Sequence, residues 1–200
     1  MKKIILAALI CASTIGAGCS MTEDKVYPYT FNSARIEYAA TGNTTPTTIV
    51  TIKGDKQLFQ TNGEHKTLMI INKDQISYIN LDEKTGTTSK NQTYNELKKL
   101  PKEERMSYLL GTSLGLSETK NGQSLPTATS QKQIAGQSCD FYENGPVGGV
   151  CLWNGLPLEI TPAAPATGIV AIKLEVNTDI PDSTFDIPKD VVVKDLNEAV

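Results

Sequence analysis

A serine flanked by glycines, Gly111-Thr112-Ser113-Leu114-Gly115, is the first arrangement in this 200-residue chain whose residue types could do chemistry. In hydrolases Gly-x-Ser-x-Gly holds a serine Oγ on a sharp turn between a strand and a helix, with a histidine further along the chain to take its proton. Here the motif falls at the end of a helical pattern, and the one histidine, His65, lies upstream. Without an imidazole Ser113 is a weak nucleophile, so the expectation is a non-enzyme. The same lone histidine leaves too few nitrogen and sulfur ligands for zinc. Asp82-Glu83 and Asp179 with Asp182 could meet a calcium ion weakly, but they lack EF-hand spacing. With neither a Gly-rich phosphate loop nor a dinucleotide fingerprint, no metal and no cofactor is expected.

The sulfur atoms carry more information. There are four cysteines, Cys11, Cys19, Cys139 and Cys151. Met1-Lys2-Lys3 precedes an uncharged apolar run from Ile4 to Ile15, which is the layout of an export signal. The run is well short of the ~20 residues a transmembrane helix requires. It ends Ile15-Gly16-Ala17-Gly18-Cys19, and these small residues before a cysteine resemble the lipobox read by the lipoprotein-processing signal peptidase, with Gly16 where Leu is commoner. The alternative is cleavage by the ordinary secretory peptidase, leaving Cys19 a spare thiol. The resemblance implies that residues 1–18 are a cleaved signal peptide and that Cys19 carries a diacylglycerol and an amide-linked acyl chain such as palmitate. At ~0.8 kcal/mol per buried CH₂ such an anchor is effectively permanent. Ser20, where Asp would mark retention, resembles the pattern of an outer-membrane lipoprotein facing the periplasm; the inner membrane and the cell surface are the alternatives.

Removing residues 1–18 takes Cys11, Lys2 and Lys3 away, leaving 182 residues with a side-chain charge of −5. That is enough chain for one domain, and too acidic for a nucleic-acid partner, whose phosphates require a positive stripe. Cys139 and Cys151 remain, in an oxidising compartment, and are expected to form a disulfide. Asn144-Gly145-Pro146 between them is a turn-forming triplet. A hairpin centred on Gly145 places the two cysteines, six residues to either side, directly opposite each other.

Residues 19–30 form the lipidated N-terminus and a polar tether, and a single β-rich domain is expected over 31–200. Turn signals at Gly42-Asn43, Gly54-Asp55, Asn62-Gly63, Asn72-Lys73-Asp74 and Asp82 to Gly86 describe successive antiparallel hairpins. Between them Ala34, Ile36, Tyr38 and Ala40 fall on one face and Ser33, Arg35, Glu37 and Thr41 on the other, whereas Leu68-Met69-Ile70-Ile71 is apolar on both faces, as a strand covered on two sides would be. The cover is expected from a helical insert near 93–116. Thr93-Tyr94-Asn95-Glu96 has capping-box spacing, and Pro101 opens a second helix, to Thr112, with Met106, Leu109, Leu110 and Ser113 at helical intervals. This second helix either packs on the sheet or forms a movable lid over a cavity. Strands resume near Gln131, Val170 to Val176 alternates cleanly, and Phe185-Asp186-Ile187-Pro188 reads as a short final strand.

The order of these elements, with Ala135-Gly136-Gln137-Ser138-Cys139 and the stretch Val150-Cys151-Leu152-Trp153-Asn154-Gly155-Leu156-Pro157-Leu158, resembles the LolA/LolB-like periplasmic lipoprotein superfamily, and in the cysteine region a branch of uncharacterised lipoproteins within it. The resemblance implies a mainly β, α+β fold: an incomplete antiparallel β-barrel covered by two short helices, with acyl chains accepted between sheet and cover. The family's carriers begin with a helix that this chain lacks, and none of their functional residues can be matched here. From pattern, the candidate ligand contacts are Ile36, Tyr38, Phe59, Ile70, Tyr78, Met106, Leu110, Trp153, Leu158 and Leu174. The expected role is to bind or transfer a hydrophobic ligand such as a lipid. The alternative is a structural or protein-interaction lipoprotein whose concave face is filled by its own side chains.

Overall fold

The structure is a computed structural model that describes residues 25–113, 127–143, 148–162 and 167–198. The export signal, Cys19 and the turn at Asn144-Gly145-Pro146 lie outside the described residues.

Among the described residues, period-two alternation and closely spaced turn residues produce twelve strands in one open sheet. The first six, β1 (Ser33–Ala40), β2 (Thr48–Lys53), β3 (Lys56–Asn62), β4 (Lys66–Asn72), β5 (Gln75–Asn80) and β6 (Thr85–Lys90), form an antiparallel meander. Two helices follow, α1 (Gln92–Lys99) and α2 (Lys102–Ser113). The chain then builds β7 (Ser130–Ile134), β8 (Gln137–Glu143), β9 (Gly148–Trp153), β10 (Leu156–Pro162) and β11 (Ile169–Val176). Strand β11 pairs with β1, so the two meanders join at the middle of the sheet. Finally β12 (Val192–Asp195) runs parallel to β6 at the far edge, which makes the sheet mixed.

The Asn154-Gly155 turn between β9 and β10 shows the local chemistry. Both residues have positive φ, 48° and 81°, the requirement of a tight two-residue hairpin turn that follows the strand twist. The main core gathers Ala34, Ile36 and Tyr38 of β1, Val50 and Ile52 of β2, and Ile134, Cys139, Cys151, Leu156, Leu158 and Ala171 from the second meander. Strands β7 and β11 stand four places apart in the sheet yet touch, so this end bends over itself and closes the core. The Tyr38 hydroxyl donates to the Pro157 carbonyl at 2.6 Å, tying the bend to the central strand.

Several expectations are corrected. Residues 25–30, expected in the tether, pack on the domain instead: Val26 and Tyr27 are buried, and the Tyr27, Tyr29, Phe31 and Trp153 rings stack in series at 5.8, 5.2 and 5.8 Å. The Asp55 carboxylate holds this segment by accepting the Val26 and Tyr27 N–H groups. The α1 cap is Asn91, whose Oδ1 accepts the Tyr94 N–H at 3.1 Å while its Nδ2 donates to the Lys73 carbonyl. A buried Asn already joined to the β4–β5 turn outcompetes the Thr93 box. Phe185 to Pro188 forms no strand. Phe185 ends a 3₁₀ turn, Asp182–Phe185, and inserts with Ile180 against Ile70 and Ile79 on the face of the sheet turned away from Tyr78.

The helices are placed differently from the expected cover. Tyr94 and Leu97 of α1, with Tyr108 and Leu109 of α2, pack on Val26, Tyr27 and Tyr29, so the helices lie on the aromatic N-terminal segment at one end of the sheet. Arg105 secures the contact, donating to the Lys25 carbonyl at 2.9 Å. Among the described residues, no helix is long and apolar enough to cross a membrane.

Candidate functional site

The β2–β6 part of the sheet has one face under the C-terminal segment; on the other, Val50, Ile52, Gln57 and Ile71 are buried, while the stretch from Phe59 and Met69 to Tyr78 is only partly covered. Directly opposed residues on neighbouring strands share a face, so the register defines a row across this second side. Val50 of β2 opposes Phe59 of β3, Phe59 opposes Met69, Met69 opposes Tyr78, and Tyr78 opposes Thr87 of β6. On β12, Lys194 stands beside Thr87 and ends the row at the sheet edge. A second row runs alongside it through Thr48, Thr61, Thr67, Asn80 and Thr85.

Beyond Val50, which belongs to the core, the rows line a groove of about 750 Å³, within the ~300–1,000 Å³ of sites that hold small organic ligands. Phe59 and Met69 are half-buried on its floor, and Tyr78 is 52% exposed. An aromatic ring so open to water on a strand paired on both sides is a site where apolar contact is still available. The threonine and asparagine row supplies hydroxyl and amide groups along one flank. No helix residue is among the groove's described lining, so α2 is not a lid over it.

Of the residues expected to contact a ligand, Phe59 and Tyr78 lie in the groove. Ile36, Tyr38 and Leu158 are fully enclosed in the main core, where Trp153 and Leu174 pack against them. Ile70 is on the opposite face beneath Ile180 and Phe185, because on a strand apolar on both sides it is Met69 that opposes Tyr78. Met106 lies at the β9–β10 turn, where a Cβ added to Gly155 would come within 2.9 Å of its sulfur. The Leu110 side chain lies outside the described residues. Met69, the threonine row and Lys194 were missed. Pairing β4 and β5 about the Asn72-Lys73-Asp74 turn could have found Met69, but nothing local places β12 beside β6.

The other chemical candidates are scattered. Ser113 ends α2 and so follows a helix rather than a strand. His65 is exposed on the β3–β4 loop, with Nδ1 3.7 Å from the Asp82 carboxylate. The Tyr38 and Tyr29 hydroxyls are pushed far above the ordinary phenol range by burial, which in Tyr29 is reinforced by Tyr27 and Tyr38. Both serve the core as neutral groups. Cys139 and Cys151 are bonded, with Cα atoms 5.5 Å apart and both residues closed to solvent. They are not directly opposed, since Phe141 opposes Cys151; the bridge is diagonal, the partner of Cys151 lying two residues from the one that a hairpin centred on Gly145 would give it.

Neither family models nor curated proteins give a match to this chain.

Proposed function

We propose that this protein is a membrane-anchored envelope lipoprotein, held by acylated Cys19, that binds or passes on a hydrophobic ligand such as a lipid. In this reading the open sheet is a LolA/LolB-like half-barrel, and the ligand lies in the groove over Phe59, Met69 and Tyr78. The observation that carries it is the row of apolar side chains left uncovered on ordered strands, in a groove of about 750 Å³. Each CH₂ of a ligand removed from water there contributes ~0.8 kcal/mol. A second reading, a structural or protein-interaction lipoprotein, draws support from the other half of the sheet. There Ile36, Leu158 and Ala171, which could have lined a deeper cavity, fill it as one core cluster.

All described packing involves residues 25–198, so a secreted form spanning Ser20 to Val200 retains every contact named above. Native mass spectrometry of that form, beside its organic extract, tests the reading. A reproducible bound lipid supports carriage. A mass equal to the bare polypeptide, with no uptake of a fluorescent fatty acid, favours the structural role.

A further inference from the structure

The row that crosses the groove changes chemistry steadily along its length. It starts inside the core at buried Ile36 and Val50 and passes through half-buried Phe59 and Met69 to exposed Tyr78. It ends at the Thr87 hydroxyl and the Lys194 ammonium on the sheet edge. From Phe59 to Lys194 is four inter-strand steps, roughly 19 Å at ~4.8 Å each, a span of the same order as an extended long acyl chain. Among the described lining residues Lys194 alone is charged, and it is a cation in a chain whose mature side-chain charge is negative. A ligand apolar throughout would gain nothing from that end of the groove.

We infer that the ligand is a single-chain anionic amphiphile, bound with its apolar tail on Phe59 and Met69 and its acidic head group at Lys194 and Thr87. This rests on the proposed ligand-binding role and adds to it the ligand's charge and direction. The acidic oxygen accepts from the Lys194 ammonium, a charge-assisted bond at the solvent-exposed edge, while the tail displaces water from the apolar floor. Strand β12 thereby acquires a purpose beyond edge protection, because the parallel strand adds the single cation to a groove otherwise built from the first meander.

The test compares oleate with oleyl alcohol, which has the same chain and no charge, by displacement of a neutral fluorescent dye from the Ser20–Val200 form. The wild type is expected to prefer oleate. Lys194→Ala should weaken oleate about threefold to tenfold, the range of a partly exposed ion pair, and leave the alcohol unchanged, while Lys194→Arg keeps the preference. Lys194 is exposed on an edge strand, so these variants should fold, and circular dichroism checks that they do. Fatty acids spin-labelled at either end report direction: a label near the methyl end should broaden Phe59 and Met69 resonances first, and one near the carboxylate Thr87 and Lys194. Equal binding of oleate and alcohol, no effect of Lys194→Ala, or reversed broadening overturns this inference and leaves apolar binding standing. Failure of both ligands to bind wild type overturns the binding role itself.

Discussion

Replacing both cysteines, Cys139→Ala with Cys151→Ala, tests how the second meander is held together. The bridge spans a sequence separation of 12, and closing a loop of that size in the unfolded chain is worth about 3 kcal/mol in the chain-entropy model. Buried sulfur adds packing to this, since Cys139 and Cys151 sit in the core cluster with Ile36 and Leu158. For a domain of this size each kcal/mol lowers the melting temperature by about 2–4 °C, so loss of the cross-link alone should lower melting by roughly 6–12 °C, and the double variant should melt lower still. Urea unfolding followed by circular dichroism, on oxidised protein, reduced protein and the variant, separates the terms: loss of the cross-link appears in both latter samples, loss of sulfur packing in the variant alone. Because both cysteines are closed to solvent, reduction of the native protein should also require local opening and lag far behind that of the urea-unfolded chain. A reduced protein as stable as the oxidised one would refute the reasoning, as would two labelled thiols per chain under denaturing, non-reducing conditions.

Leu158→Ala, at a fully buried core position, should cost about 2–5 kcal/mol in chemical denaturation. Tyr78→Ala, at an exposed groove position, should change stability by less than about 0.5 kcal/mol and yet abolish uptake of a fluorescent fatty acid; uptake at the wild-type level would move the ligand site elsewhere. Gly148→Ala should be among the most damaging single changes, since φ is +101° and the new Cβ would lie 1.8 Å from the Thr161 carbonyl oxygen; an unchanged melting temperature would contradict the β9–β10 pairing. The raised Tyr29 and Tyr38 values make stability full below the ordinary phenol value of 10.0 and progressively lost as pH rises from there toward the folded values. The loss is about 1.4 kcal/mol per pH unit for each group, and Tyr38→Phe should remove one share of that slope in alkaline unfolding curves.

Much of the strand pattern was open to reading because each hairpin declares itself locally. Alternation in β1 and β11, and turn residues such as Asn62-Gly63 and Asn72-Lys73-Asp74, mark strands regardless of what covers them. The second helix, opened by Pro101, was legible for the same reason. Tyr27, Tyr29 and Phe31 also alternate, but Pro28 between them and the polar residues before them read as a linker, and only the Trp153 ring and α1 give those aromatics something to pack against.

The amino-acid order by itself determined most of the local hairpins and the second helix, and it set two cysteines a short hairpin apart. It could not determine which side of Leu68-Met69-Ile70-Ile71 meets water, because a strand apolar on both faces carries no parity signal. That was decided when Ile180 and Phe185, more than a hundred residues later, covered Ile70 and left Met69 in the groove. The same late segment then laid β12 along β6 and brought Lys194 to the end of the row. Contacts between residues so distant in the chain depend on the assembled sheet, and the candidate site exists only there.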